Sequence, residues 1–284
     1  MPEIAIITDT DSSLPVEVAA RYGIQQVPIT IHFDQESFTT GVDIDDRLLF
    51  EKIDHYNKLP TTSAPAPSAF ATAYEKAFNA GADAIVCICV SSKISATYNS
   101  ALSACEMFPD RQIAVIDSLF VSMGQGFLAI AAAEAAKKGA SFEEVVSLVD
   151  QMRHHLHEYA VLSTLKYLAM SGRVGSLVAG MADTFNIKPI LSVQDGKLDL
   201  LERVRTHKKA MQRMLDLTHS AIGDQSIQRM AIVHANAADG ALELKTQLLE
   251  SFSFKGDIII AEFTPGLSVH TGSGVVGVIV VTGA

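Results

Sequence analysis

The chain has 284 residues, of which 48% are hydrophobic and 19% are charged, and its net charge is −10. This composition excludes a disordered chain and supplies enough apolar residues for one large or two ordinary domains. The acidic balance argues against nucleic acid as a partner, because phosphate binding requires a basic surface.

The start of the chain predicts a cytoplasmic protein. Residues 1–3, Met-Pro-Glu, lead directly into an apolar, strand-like run, whereas a signal peptide begins with basic residues. The Ala-rich stretch 127–136 is too short to cross a bilayer and contains Glu134, so no stable membrane insertion is expected. The three cysteines form no Cys-x-x-Cys pair and are expected to be buried, reduced thiols.

The first half of the chain alternates strand and helix signals. Its apolar, β-branched runs predict strands over Ile4–Thr8, Gln26–Phe33, Ala84–Val90 and Gln112–Asp117. One helix face is marked by side chains at helical spacing, namely Phe70, Ala73, Tyr74, Ala77 and Phe78. A capping box at Ser141 and Glu144 begins a further helix. Repeated strand–helix units of this kind predict a mainly parallel sheet with flanking helices.

Two hydroxyl-rich segments in this half predict an anion site. Residues 61–63 read Thr-Thr-Ser in an extended loop, and the strand ending near residue 90 delivers Ser91, Ser92 and Ser95 to the start of a helix. Free N–H groups and the helix dipole favour an anion there. These donors are neutral and no glycine-rich phosphate loop is present, so a carboxylate fits better than a nucleotide. Alternatively, Ser95 is only a helix N-cap.

The second half mixes hairpin and helix signals. An Asp-Gly turn at 195–196 joins Ile187–Val193 to Lys197–Val204 as a predicted hairpin. The other predicted elements are helices over Leu162–Ala169, Leu177–Phe185 and His207–Ala221 and strands over Met230–His234, Asp257–Glu262 and Val275–Val281. This mixture predicts a C-terminal mixed α/β domain, 159–284, after an N-terminal α/β domain, 1–158. The ligand site is expected between the two domains.

Two late residues are candidates for the same site. His270 precedes the last strand in a glycine-punctuated turn, and Arg173 follows a glycine, although each could equally be structural. Ser95 with His270 would also permit a serine hydrolase, but the Gly-x-Ser-x-Gly elbow is missing. A sugar- or phosphate-binding module is disfavoured by the absence of Trp. Asp9 and Asp11 have no third carboxylate or His at a spacing typical of metal sites, and Asp commonly ends a strand in a turn, so no metal is expected.

Short motifs occur in one order along nearly the whole chain. They include Ile-Thr-Asp-Thr-Asp-Ser-Ser-Leu (7–14), Pro-Thr-Thr-Ser (60–63), Ser-Ser-Lys-Ile-Ser-Ala-Thr-Tyr (91–98), Ser-Gly-Arg (171–173), Lys-Pro-Ile-Leu (188–191) and His-Thr-Gly-Ser-Gly (270–274). Together they resemble the DegV family, the fatty-acid-binding subunits of bacterial fatty acid kinase. The chain departs from the family pattern at Ala64, Ala96, Ser171 and Ser273, none of which removes an expected ligand-contacting donor.

The resemblance implies a non-catalytic two-domain α/β protein that holds one long-chain fatty acid between its domains. It implies that an ATP-using kinase subunit receives the acid and makes the acyl phosphate, and it implies no metal or other cofactor. Thr62 and Ser95 match the family's carboxylate ligands. The full set of candidate carboxylate-binding residues is Thr62, Ser63, Ser92, Ser95, Arg173 and His270.

The acyl tail and the kinase have their own candidate segments. Residues 121–131 or 177–185 are expected to line an apolar tunnel, although both could be ordinary core. Burial of the tail offers about 0.8 kcal/mol per methylene, or roughly ten kcal/mol for a sixteen-carbon acid, before ordering costs. The candidate docking residues form the densest basic run of the chain, Arg203, Arg205, Lys208 and Lys209, which could equally be a solvated helix face.

Overall fold

The structure, a computed structural model, describes residues 3–173 and 187–283. Its strands are β1 (Ile4–Asp9), β2 (Gln25–Val27), β3 (Thr30–Phe33), β4 (Glu36–Thr39), β5 (Thr61–Ser63), β6 (Ala84–Cys89), β7 (Gln112–Asp117), β8 (Leu156–Val161), β9 (Lys188–Gln194), β10 (Lys197–Val204), β11 (Ile227–Ala235), β12 (Ile258–Glu262) and β13 (Val275–Thr282). Its α-helices are α1 (Val16–Tyr22), α2 (Asp46–Tyr56), α3 (Pro67–Asn79), α4 (Thr97–Cys105), α5 (Ser122–Lys137), α6 (Phe142–Met152), α7 (Lys166–Ser171), α8 (His207–Ile222), α9 (Ala238–Ser251) and α10 (Pro265–Thr271). The predicted α/β class is confirmed.

Helices cover both faces of the parallel sheet in the N-terminal half. Its strand order is β2-β1-β6-β7, and each neighbouring pair is parallel. Successive side chains of β6 point to opposite faces, so that Ile85 packs with α3 and α4 whereas Val86 packs with α5 and α6. Every residue of β6 is therefore buried, which explains its continuously apolar sequence.

The predicted strand 26–33 is two strands that belong to different sheets. Pro28 separates them, because proline has no N–H to donate and restricts the residue before it. β2 stays in the parallel sheet, whereas β3 pairs antiparallel with β4 and with β5. The hydroxyl loop at 61–63 is thus the short strand β5, whose Thr62 lies opposite Ile31.

A six-stranded mixed sheet of order β10-β9-β8-β13-β11-β12 forms the C-terminal half. Only β11 and β12 pair in parallel; the other neighbours are antiparallel. The predicted hairpin is present as β9 and β10, and both Asp195 and Gly196 have positive φ at its turn.

The second sheet begins earlier than the sequence predicts. A short 3-10 turn at Arg153–His155 follows α6, and β8 starts at Leu156, so the predicted boundary at Glu158 falls inside β8. The mostly polar run 154–158 favours a solvated helix end in the sequence. In the structure His154 and His155 belong to the 3-10 turn, and residues 156–158 begin a strand whose alternate residues, Leu156 and Glu158, are buried. The predicted helix 162–169 is shorter and later, as α7, and the predicted helix 177–185 lies outside the described residues.

Helix α5 packs between the two sheets and joins the two halves. Residues 122–133 of this helix are buried, and they contact β1 and β6 on one side and β8, β11 and β13 on the other. One continuous apolar cluster accordingly contains Val86, Phe127, Val233 and Ile279. Among the helices of residues 3–173 and 187–283, none combines the length and apolarity needed to cross a membrane.

Candidate functional site

A narrow, mostly apolar cavity lies where the two halves meet. Its free volume is about 60 Å³, within about 610 Å³ of space between atoms that is partly open to solvent. Its walls include Leu191 and Val193 of β9, Leu198 of β10 and Leu267 of α10. Such a cavity suits a slender apolar ligand better than a bulky polar one.

His270 of α10 lines this cavity and links the two halves. Its Nε2 lies 3.0 Å from Oγ1 of Thr62, so strand β5 and helix α10 meet at this pair. Its Nδ1 is buried and has no hydrogen-bond partner among the described residues. Because buried polar atoms are normally paired, this nitrogen is suited to receive a ligand.

The His270 imidazole is neutral near pH 7. Burial, together with the positive charge of Arg173, lowers its pKa to about 3. A neutral imidazole carries one N–H, and its position depends on the tautomer. When Thr62 donates to Nε2, the proton sits on Nδ1, where it can be donated to an anion.

Arg173 brings a positive charge to the same wall. It lines the cavity, and its guanidinium donates to the carbonyl oxygen of Ser171 at 2.6 Å. A guanidinium has five N–H donors and remains charged, which suits it to a carboxylate. The predicted residues Thr62, His270 and Arg173 are thus brought together at one part of the cavity.

Ser95 lies beside the cavity. The preceding residue, Ile94, is part of the wall, and the Ser95 hydroxyl lies 2.8 Å from Oγ1 of Thr97 and accepts a bond from the Thr97 N–H. Ser95 therefore forms the turn before α4, whereas the N-cap of this helix is Ala96 and not Ser95. Its hydroxyl pairs with Thr97 rather than with His270, so no nucleophile–base pair exists between Ser95 and His270.

Two predicted residues have other roles in the structure. Ser63 follows Thr62 on β5, so its side chain points to the opposite side, where it bonds Nε2 of His32 on an exposed surface. The backbone N–H of Ser92 donates to Asp117 at the end of β7, which holds the Ser-Ser turn. The cavity wall contains neither of them.

Asp9 forms hydrogen bonds at the end of β6, which leads into the hydroxyl motif at residues 91–95. Its Oδ2 accepts bonds from the Val90 N–H at 2.8 Å and from the Gln125 amide at 2.9 Å. Asp9 thus ties β1 and β6 to α5, which explains an acid at this position without a metal. Across residues 3–173 and 187–283, no three His, Cys, Asp or Glu side chains converge as they would around a metal ion.

Glu158 is a cavity residue that the sequence analysis missed. It is only 6% exposed, lies on β8 and lines the cavity with Ala160 of the same face and with Leu162 just after the strand. The period-two alternation of Leu156, Glu158 and Ala160 is the signal that could have placed it inward. Of the two predicted tunnel segments, 121–131 contributes Val121, and 177–185 lies outside the described residues.

The predicted docking residues lie elsewhere on the surface. Arg203, Arg205 and Lys209 border a separate groove at the end of β10 and the start of α8, and Lys208 is exposed beside them. Arg213 in the same groove pairs with Glu202. The groove therefore presents a concentration of positive charge on an acidic protein.

Comparison with known proteins places these features in a family. A family model described as "Uncharacterised protein, DegV family" matches residues 3–283. A DegV domain-containing protein of Halalkalibacterium halodurans is 32% identical over 277 residues, which cover 98% of each chain.

Solved structures of similar proteins share the fold over the whole chain. A DegV family protein from Thermus thermophilus, whose structure is described as showing fatty acid binding, aligns with a TM-score of 0.91 and 26% identity over 99% of both chains. A DegV family protein from Ruminococcus gnavus, refined with vaccenic acid, aligns with a TM-score of 0.87 and 26% identity over 98% of this chain and 100% of that one. From the family match and the identity to its members, the chain belongs to the DegV family.

Proposed function

We propose that the protein binds one long-chain fatty acid, with its carboxylate at Thr62, His270 and Arg173 and its tail in the apolar cavity. The observation that carries this proposal is the buried Nδ1 of His270, which lacks a hydrogen-bond partner among the described residues and belongs to a mostly apolar cavity. The relatives described as showing fatty acid binding or refined with vaccenic acid support the ligand class.

The cavity has the two features that this ligand requires. An apolar tail gains about 0.8 kcal/mol per buried methylene, and the leucine- and valine-rich walls provide that environment. A carboxylate can leave water only when donors replace its hydration. His270 through Nδ1–H, the Arg173 guanidinium and the Ser95 hydroxyl are the donors for it, and the bond from Thr62 to Nε2 holds His270 in the tautomer that donates.

We further propose that the protein is a carrier and that an ATP-using kinase subunit acts on the bound acid. In that reaction a carboxylate oxygen accepts the phosphoryl group of ATP to give the acyl phosphate. Two observations support a separate kinase partner. Ser95 and His270 are hydrogen-bonded to other residues and not to each other, so they do not form a catalytic pair. The run 203–209 carries four exposed basic residues, Arg203, Arg205, Lys208 and Lys209. The carrier is expected to act in the cytoplasm without a metal or cofactor of its own.

Removal of the Thr62 hydroxyl tests the carboxylate site. We expect Thr62→Val to lower the affinity for a fatty acid about tenfold or more, because His270 loses the partner that holds its N–H on Nδ1, where it bonds the charged carboxylate. Affinity is measured on delipidated protein by displacement of a fluorescent fatty acid. Thr61→Val is the matched control, since Thr61 is exposed on the same strand. Equal affinity in both variants would contradict the site.

Mass spectrometry under denaturing conditions separates a carrier from a hydrolase. A carrier releases a stoichiometric free fatty acid after lipid extraction, whereas a hydrolase would retain acyl-ester mass on Ser95. We expect only free acid. An ester on Ser95 would overturn the proposal.

A further inference from the structure

Glu158 is a buried carboxyl in the apolar wall of the cavity. Its side chain shares a face of β8 with Ala160, and both line the cavity, as does Leu162 just after the strand. Its Oε2 has no hydrogen-bond partner among the described residues. A Cβ atom placed on Gly124 of α5 would lie only 2.8 Å from this oxygen, so the glycine leaves the room that the carboxyl occupies.

This arrangement is energetically unfavourable without a ligand. A buried polar atom that lacks a partner loses the hydrogen bond it makes with water, whereas an apolar side chain would fill the same place at no such loss. Burial raises the pKa of Glu158 to about 8, with the Val121 backbone N–H opposing the shift. The group is therefore mainly a neutral carboxylic acid near pH 7, able both to donate and to accept a hydrogen bond.

Glu158 lies away from the candidate carboxylate donors along β8. Those donors lie at the end of β8 that leads to α7, because Arg173 closely follows α7 and because α10, which carries His270, contacts α7. Glu158 is three residues back along the strand from Val161, the last residue of β8, a distance of about 10 Å at the rise of a β-strand. An acyl chain with its carboxylate at His270 and its tail along this wall would bring its middle carbons to Glu158.

We propose that Glu158 determines specificity by hydrogen-bonding an oxygen substituent in the middle of the acyl chain, so that the preferred ligands are mid-chain hydroxy or oxo fatty acids. This inference rests on the proposed fatty-acid-binding function and narrows its ligand class. A mid-chain hydroxyl can donate to the neutral Glu158 carboxyl or accept its proton, and an oxo oxygen can accept that proton, whereas a plain saturated chain covers the carboxyl with methylenes and leaves Oε2 unpaired.

Competition between two acids of equal length tests the inference. Stearic acid and a hydroxystearic acid with its hydroxyl at mid-chain are each titrated against a fluorescent fatty acid on delipidated wild-type protein. We expect the hydroxy acid to bind about three- to tenfold more tightly, the range set by one net hydrogen bond. In a cavity whose walls had no polar partner, the hydroxyl would weaken binding, because it makes the acyl tail more polar.

Variants at position 158 test whether Glu158 causes the preference for the hydroxy acid over stearic acid. Glu158→Met has similar length without the polar atoms, and we expect it to bind stearic acid more tightly and to lose the preference for the hydroxy acid. Glu158→Gln keeps a donor and an acceptor, so it should retain the preference. Glu243→Met, on the exposed surface of α9, is the control and should match the wild type.

The outcomes separate this inference from the function on which it rests. If neither acid binds the wild type, the proposed function fails. If stearic acid binds and the hydroxy acid binds no more tightly, the ligand does not hydrogen-bond Glu158 and the inference is overturned. A preference that persists in Glu158→Met would overturn it as well. The wild-type comparison is decisive even if a variant does not fold.

Discussion

Two buried side chains of the cavity are neutral near pH 7, and burial is the main cause for both. The pKa of His270 is lowered to about 3 and that of Glu158 is raised to about 8, because a low-dielectric environment disfavours whichever form is charged. Arg173 is then the charged group of this part of the wall. A single positive charge near Thr62 and His270 matches a single carboxylate.

The raised pKa of Glu158 has a consequence for stability. The folded protein holds this proton up to about pH 8, whereas the unfolded chain releases it near 4.5. The stabilising contribution is complete below 4.5 and is lost as the pH rises through 8. We expect the free energy of unfolding of Glu158→Gln, relative to wild type, to increase across this window by on the order of a few kcal/mol. Urea unfolding at several pH values measures it, and a difference that does not vary with pH would refute the assignment.

At the scale of elements, helix α5 packs closely against the strand that carries Glu158. The small residue Gly124 lets the start of this helix approach β8, since a Cβ there would lie 3.0 Å from Cβ of Phe120 and 3.3 Å from Cδ2 of Leu156. These contacts are tighter than ordinary packing allows. The glycine is thus required by close approach rather than by backbone conformation.

Substitution at this helix tests the contact with Glu158. Although Ala is normally the better helix former, we expect Gly124→Ala to lower the free energy of unfolding by about 1–3 kcal/mol through overpacking. Part of that loss should disappear when Glu158 is also shortened to Ala, because the closest contact is then absent. A double-mutant cycle by urea unfolding measures the coupling, and strictly additive effects would show that the two positions do not touch.

At the scale of the whole molecule, the proposed fatty acid site and the basic groove are built from different parts of the fold. The cavity lies between the two halves, whereas Arg203, Arg205 and Lys209 lie at the outer junction of β10 and α8. This separation allows a partner to attach to the groove without displacing the ligand. The positive groove on a chain of net charge −10 favours a partner with an acidic surface.

Charge reversal tests the docking of the kinase subunit. We expect Arg205→Glu with Lys209→Glu to reduce kinase-dependent phosphorylation of the bound acid roughly tenfold at low salt and less at high salt, because exposed charges are screened. Fatty acid affinity should not change. Lys76→Glu with Lys137→Glu, at exposed positions of the N-terminal half, is the control pair. Unchanged phosphorylation would exclude this groove as the docking site.

Local patterns in the sequence sufficed for much of the fold. The continuous apolar run of β6 predicts a strand buried on both faces, and the Asp195-Gly196 turn predicts a hairpin, because both depend on neighbouring residues only. The same local reading failed at Pro28, where one apolar run contributes to two sheets. It failed again at Glu158, whose strand alternation is concealed by polar neighbours.

The sequence by itself determined the class of fold, the hydroxyl motifs and the resemblance on which the family assignment first rested. Only the tertiary structure decided which of those residues meet: Thr62 and His270 are 208 positions apart and in contact, whereas the neighbouring Ser63 faces away. It also decided that Glu158 enters the cavity. The reason is physical, because the distance between remote residues depends on how α5 packs between two sheets, and a one-residue change of strand register turns a side chain from one face to the other.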